Sequence, residues 1–328
     1  MRKFSIILPV KNGGSYVREC LSHILSQKLQ DFNLIVLDNC STDGTYEWIE
    51  SLDDKRILLY GSEKPLSIEE NWARVKDIPK NEFMTMIGHD DLISPDYLQE
   101  MNALINKHPV ATLYQTHFNY IDAKGKFIRD CLPMAEVQYA HEFLAFQMKR
   151  AIDSTGTGYM MRSADFDALG GMPVQYPNLI FSDYELWINL MMQGYKATSQ
   201  KKCFSYRIHK SVSRTTNGMA YQQAFSLYVE NLLKPMKKDA LVKETISKYG
   251  KEFLLYYCES LSHRLLKTPV KERTITVSDF IKKCELFAAR LIPGQELNAL
   301  QVFRIRIAAQ LDRSFLGRTL FRLYKVLS

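Results

Sequence analysis

The chain has 328 residues, enough for one large α/β domain with a smaller attachment, and an apolar share typical of globular proteins. Its six cysteines are scattered with no C-x-x-C spacing, which argues against a zinc site or disulfide framework and suits a reducing cytoplasm. The net charge of +7 is uneven: residues 290–328 hold seven basic residues against two acids, and the near-neutral remainder argues against a nucleic-acid groove.

The first element is the apolar run Phe4-Ser5-Ile6-Ile7-Leu8-Pro9-Val10. It follows Met1-Arg2-Lys3 as a signal peptide would, but it is too short and meets Lys11 and Asn12 with no small-residue cleavage site, so it reads as a buried strand. Val17, Cys20, Leu21, Ile24 and Leu25 then recur at helical spacing, with Ser15 as the N-cap candidate. Residues 33–37 read as a strand, followed by a helix with Thr45, Trp48, Ile49 and Leu52 on its inner face. Strands at 56–60 and 82–87 bracket a helix at 67–76, and a helix at 96–106 precedes an apolar run at 110–118. This alternation predicts an α/β fold with right-handed crossovers and a mostly parallel sheet covered by helices on both faces.

After Tyr159 the signals are mixed until a helix with Tyr184, Trp187, Ile188, Met191 and Met192 on one stripe. The polar, breaker-rich stretch 211–218 reads as a linker, dividing the chain into 1–214 and 215–328. Beyond it Tyr221, Phe225, Tyr228 and Leu232 form one helical face, and Leu254, Tyr257, Leu261 and Leu265 another. Residues 304–328 read as a single basic helix with Ile307, Leu311, Leu316, Leu320, Leu323 and Leu327 toward one side. Such a helix either docks on the protein with its charges in water or lies on an anionic leaflet, at the inner face of the membrane. No stretch is long enough to be a membrane-spanning helix.

In an open α/β sheet, ligands bind beyond the carboxyl ends of the strands, so the residues just after each strand matter most. They are Pro9-Val10-Lys11-Asn12-Gly13-Gly14, Asp38-Asn39-Cys40-Ser41-Thr42-Asp43-Gly44-Thr45 and Gly88-His89-Asp90-Asp91. Capping accounts for residues 41–43 but not for Asp38, whose carboxylate either starts the turn or accepts an N–H from a nucleobase. Asp90 and Asp91 are adjacent carboxylates that repel each other; they open a solvated turn or supply oxygen ligands to Mg²⁺ or Mn²⁺ shared with substrate phosphates. Ser182 and Glu185 fit a capping box around Asp183, which sits where a helix dipole favours an ionised acid, as a general base requires. His209 is either a packed histidine or a metal ligand.

Together these segments resemble glycosyltransferase family 2, enzymes of the GT-A fold. The likeness runs over residues 4–214, through Ile7-Leu8-Pro9-Val10-Lys11-Asn12, the run from Asp38 to Thr45, His89-Asp90-Asp91 with Ser94-Pro95-Asp96, Gly170-Gly171-Met172-Pro173, Ser182-Asp183-Tyr184-Glu185-Leu186-Trp187 and Tyr206-Arg207-Ile208-His209. The resemblance implies a nucleotide-sugar donor, with UDP as its nucleotide, a divalent metal (Mn²⁺ or Mg²⁺), and a hydroxyl acceptor on a glycan or lipid-linked molecule. It implies that Pro9, Val10, Lys11 and Asn12 pack on the nucleoside, that Asp38 bonds the base, and that Asn71, Arg74, His89 and Asp90 contact the donor. Asp90, Asp91 and His209 would hold the metal, and Asp183 would act as base in an inverting transfer. One departure is Gly88, where the family motif commonly begins with another acid. Rival readings are a dinucleotide oxidoreductase, which lacks its G-x-G-x-x-G, a sugar nucleotidyltransferase, which lacks its glycine-rich arginine loop, and a non-catalytic sugar-binding subunit.

Overall fold

The computed structural model describes residues 2–209 and 216–327. The chain divides into two compact units, one of Met1–Ala140, Ile152–Gln175 and Ser182–Ser211, the other of His141–Ala151, Tyr176–Phe181 and Val212–Ser328. The second unit therefore draws in two stretches from the range 1–214. Their side chains explain why: Phe181 stacks on Tyr228 with ring centroids 5.1 Å apart, and Gln147 accepts a hydrogen bond from the Tyr228 hydroxyl. The expected linker at 211–218 falls largely outside the described residues. Its described end, Asn217, caps a helix by accepting the Ala220 N–H.

The first unit begins with β1 (Phe4–Val10), α1 (Gly14–Leu25), β2 (Phe32–Asp38), α2 (Thr45–Glu50), β3 (Ile57–Gly61), α3 (Ile68–Ala73) and β4 (Phe83–Met86). It continues through β5 (Leu92–Ile93), α4 (Tyr97–Lys107), β6 (Leu113–Ile121), β7 (Phe127–Asp130) and β8 (Val137–Gln138). After α5 (Ala140–Met148), most of which belongs to the second unit, come β9 (Tyr159–Arg162), α6 (Ser163–Ala168), α7 (Ser182–Met191) and β10 (Lys196–Arg207). The strand order is β3-β2-β1-β4-β9-β6-β10-β5, with β7 beside β6 and β8 beside β10. β1 to β4 pair in parallel, as does β6 with β10; the other pairings are antiparallel. The parallel half is the part whose sequence alternates strand and helix, and every residue of β1 is buried, as expected of a strand covered on both faces.

Local details set the loops that follow. α1 begins at Gly14 with Gly13 as its N-cap and no side-chain cap, so Ser15 does not play that part. A Cβ on Gly13 would lie 2.6 Å from Val17 Cβ and 2.9 Å from Val10 Cγ2, so only glycine lets the end of β1 and the start of α1 approach this closely. Ser67 and Glu70 form a capping box at α3, and the helix ends in a short 3₁₀ turn at Arg74–Lys76.

The second unit is helical, with α8 (Gly218–Lys238), α9 (Ala240–Lys267), α10 (Val277–Leu291), α11 (Phe303–Asp312) and α12 (Phe315–Leu327). Phe225 stacks on Tyr257 at 4.6 Å, so the two apolar faces foreseen for α8 and α9 meet each other. The single tail helix is not found: α11 and α12 are separate. The break follows from Ser314, whose hydroxyl accepts the Gly317 N–H, and from Asp312, buried with Arg273 at 2.9 Å and the Val277 N–H at 2.8 Å. The leucine stripe is divided accordingly. Ile307 and Leu311 are half-buried, whereas Leu316, Leu320 and Leu323 are exposed. Among the described residues no helix is long and apolar enough to cross a membrane.

Candidate functional site

The carboxyl ends of β1, β2 and β4 face one edge of the sheet: Val10 pairs with Asp38, and β4 ends at Met86 opposite Ile7, so the chain after it runs on past the end of β1. The loop after β1 is laced to the loop after β2. Asn12, at φ 51°, donates its N–H to Ser41 Oγ and accepts the Thr42 N–H on its side-chain oxygen. Gly13 donates to Thr45 Oγ1 and Gly14 to Asp43 Oδ2. Of the four residues expected against a nucleoside, Lys11 and Asn12 are exposed, while Pro9 and Val10 are buried and Val10 belongs to the apolar core.

Asp38 ends β2 almost wholly buried. Its Oδ1 accepts the Ser41 N–H at 3.0 Å, and its Oδ2 is buried without a hydrogen-bond partner. An orphaned buried carboxylate oxygen is costly, so its lone pairs are open to a donor from a ligand or water. Beneath it stand Asn71 and Arg74. Arg74 Nη1 donates to the Asp38 carbonyl and to Asn71 Oδ1, both at 2.9 Å, and Nη2 donates to the Tyr60 and Gly61 carbonyls. Asn71 Nδ2 donates to the Leu37 carbonyl. Both residues were expected to touch a donor; the bonds they make tie the ends of β2 and β3 together under Asp38.

After β4 the chain turns tightly, with the Asp91 N–H donating to the Gly88 carbonyl. A Cβ on Gly88 would lie 2.8 Å from both Asp90 Oδ1 and Asp91 Oδ2, so any side chain here would require those carboxylates to shift. The adjacent acids then part. Asp91 is buried, with Oδ1 accepting the Arg207 N–H at 3.0 Å and Oδ2 accepting the Thr157 hydroxyl at 2.7 Å. Burial, and then the charge of Asp90, hold its carboxyl well above the usual range. Asp90 points the other way and pairs through Oδ2 with His209 Nε2, the side chains being 24% and 26% exposed. His89 precedes Asp90 in the same turn, and burial lowers its imidazole's proton affinity against the opposing charge of Asp90.

Asp183 is the second residue of α7, after Ser182, whose hydroxyl donates to the Pro173 carbonyl. The side chain is half-buried by exposed area, yet its carboxyl is crowded enough that desolvation lifts it to about 6, against the pull of the Tyr184 and Asp183 backbone N–H groups. Burial thus outweighs the backbone N–H groups of the helix start in setting the value. The segment 155–157 links Asp183 to the other acids. Thr157 holds Asp91, a Cβ on Gly156 would lie 3.9 Å from Asp183 Oδ2, and the Thr155 carbonyl accepts Trp187 Nε1 from α7.

The loops after β1 and β2 are thus tied through Asp43, and residues 155–157 run from Asp91 to beside Asp183. Among the described residues no three His, Cys, Asp or Glu side chains gather as a metal-binding group, and Asp91, turned inward, stands apart from the expected set of Asp90, Asp91 and His209. Asp90 and His209, partly exposed and facing each other, are the side chains whose oxygen and imidazole nitrogen would hold a divalent cation here. Sequence reasoning missed Arg207 and Thr157. Arg207 was visible two residues before His209, on the same strand face by period, but nothing in spacing says that it is buried; Thr157 lay in a small, polar stretch without periodicity.

The family model described as Glycosyl transferase family 2 matches residues 5–169. Glycosyltransferase GlyG of Streptococcus pneumoniae is 24% identical over 125 residues, 38% of this chain and 42% of that protein, so this chain spans under half of that relative's length. Among solved structures, Staphylococcus aureus TarS 1-349 in complex with UDP-GlcNAc superposes with a TM-score of 0.70 at 15% identity, covering 95% of this chain and 91% of that one. The mannosyltransferase PcManGT of Pyrobaculum calidifontis, in complex with GDP-Man and Mn²⁺, gives 0.50 at 14% identity, covering 99% and 88%. The fold is the GT-A fold.

Proposed function

Because this chain belongs to glycosyl transferase family 2, we propose that it moves a hexosyl unit from a UDP-sugar to a hydroxyl of a glycan or lipid-linked acceptor, with inversion. The observation that most supports this is Asp38, whose buried, unpartnered oxygen sits at the same sheet edge where Asp90 faces His209. A uracil N–H is the kind of donor that oxygen lacks, and UDP is also the nucleotide bound by TarS.

Asp183 takes the acceptor's hydroxyl proton while that oxygen forms a bond to the anomeric carbon and the carbon–diphosphate bond breaks. The bonding pair leaves with the diphosphate. A base raised to about 6 is ionised at pH 7 yet accepts a proton more readily than an ordinary aspartate. Asp90 and His209 would hold Mn²⁺ or Mg²⁺, which as a Lewis acid stabilises charge growing on the departing group. Lys11 and Asn12 present an exposed rim to the nucleoside. His89, next to Asp90 in the same turn, orients the donor. The deciding experiment is nucleotide release from a panel of nucleotide-sugars with Mn²⁺ and a glycan acceptor. Asp183→Asn lowers release by about 10²–10⁴-fold while UDP binding persists; a wild-type chain that binds UDP-sugars but never turns over with any acceptor is instead a sugar-binding subunit.

The partner side of the reading adds an anionic membrane surface. Leu316, Leu320 and Leu323 are exposed at 66%, 55% and 57% on a segment with a surplus of positive charge. The full chain is then expected to float with phosphatidylglycerol vesicles and not with phosphatidylcholine alone. Changing the three leucines to glutamine removes flotation; equal flotation of both chains removes the membrane from the proposal.

A further inference from the structure

Arg207 is 1% exposed at its side chain and is bonded on every side. Its backbone N–H donates to Asp91 Oδ1, its Nε to the Asp90 carbonyl at 2.7 Å, its Nη2 to Glu19 Oε2 on α1 at 2.7 Å, and its Nη1 to the Asp122 carbonyl at 3.3 Å. The guanidinium also lies 4.8 Å from the centre of the Tyr16 ring, and that ring is 5.5 Å from the ring of His209. The Tyr16 hydroxyl in turn donates to the Ala123 carbonyl, beside Asp122. One side chain therefore binds α1, the turn between β6 and β7, and the Asp90–Asp91 loop to the end of β10.

From this we infer that Arg207 is the positioning residue of the donor site: by gripping the backbone of Asp90 and backing Tyr16 against His209, it presents the Asp90 carboxylate and the His209 imidazole to one cation. The inference rests on the donor-site reading above and deepens it. The rigid planar fork is suited to this work because its nitrogens reach three chain segments in fixed directions, which the single nitrogen of lysine does not. A buried prop of this kind acts on metal affinity through the ligands it orients, typically by about 10–100-fold.

The test measures UDP binding to the full-length chain as a function of Mn²⁺ concentration, with GDP as a second probe. Wild type is expected to bind UDP in a Mn²⁺-dependent way; if neither nucleotide binds, the donor-site reading fails and the inference with it. In Arg207→Met, shown by circular dichroism to be folded before Mn²⁺ is added, the apparent Mn²⁺ constant rises about 10–100-fold, Arg207→Lys falls between the two, and excess Mn²⁺ restores binding. Folded variants with a wild-type Mn²⁺ constant and only a lower Tm overturn the inference. If Arg207→Met does not fold, Glu19→Gln and Tyr16→Leu decide at more exposed positions: a raised constant in either supports the assignment, and unchanged constants in both overturn it.

Discussion

The loop after β2 and the loop after β4 each present one acid at the same sheet edge, and they are built differently. The first is laced mainly to backbone groups: Asn12 reaches Ser41 and Thr42, Asp43 accepts the Gly14 N–H, Arg74 donates to the Asp38 carbonyl and Asn39 exchanges hydrogen bonds with the Leu66 backbone, while Asp38 Oδ2 has no partner. The second is held by charge and burial, with Asp91 turned inward to Arg207 and Thr157 so that its neighbour Asp90 turns outward to His209. In the first loop the presented acid also bears on the framework, through Ser41. In the second the two tasks fall to two adjacent residues. An acid next to another acid is thus no measure of two ligands; one of the pair can serve the fold.

The comparison can be broken at the group that both loops serve. Asp183→Asn should lower transfer by about 10²–10⁴-fold, the usual contribution of a general base, with UDP binding unchanged. In the wild type, Asp183 must be ionised to accept a proton, so its elevation to about 6 makes transfer fall as pH drops through that value, and kcat against pH checks this. An Asp183→Asn chain with wild-type turnover would remove the base from the mechanism.

A smaller but sharper effect is expected in the β4 loop. Gly88→Ala places a Cβ 2.8 Å from an oxygen of each acid, so one or both must move. Displacement of about 1 Å at a reacting group can lower rates on the order of 10²-fold, and calorimetry of UDP with Mn²⁺ should show the loss at the binding step. Unaltered binding would mean that the turn gives way without disturbing Asp90.

Thr157→Val tests the inward half of the pair. It strips a buried carboxylate oxygen of its donor, a change that costs about 1–3 kcal/mol, seen as a lower midpoint in chemical denaturation. The matching change in the β2 loop, Asn12→Ala, removes an exposed bond to the Thr42 N–H and leaves a residue other than Asn or Gly at positive φ, for about 1 kcal/mol. If Asn12→Ala proved the more damaging to stability, the buried Thr157–Asp91 bond would not be the stronger of the two supports.

Period and punctuation made the parallel half legible before any coordinates. β1 to β4 and their helices follow from local apolar spacing, and Asp38, Asp90 and Asp183 stood out because each follows a strand or opens a helix. What was hidden depended on partners distant in the chain. Thr157 and Arg207 lie 66 and 116 positions from Asp91, and no window of sequence shows that they share it. The antiparallel pairings of β9 and β5, short strands with little alternation, were equally out of reach.

By itself, then, the sequence determined the family, the alternating first half and the acids that end its strands, because those are properties of nearest neighbours and of fixed periods. Tertiary structure alone decided which of two adjacent carboxylates faces outward, that a Cβ at Gly88 would meet both of them, and that the basic tail breaks at Ser314. Each of those outcomes turns on burial and on hydrogen bonds in the folded chain, and a carboxylate's orientation exists only once the groups that would bond it have been brought within 3 Å or so.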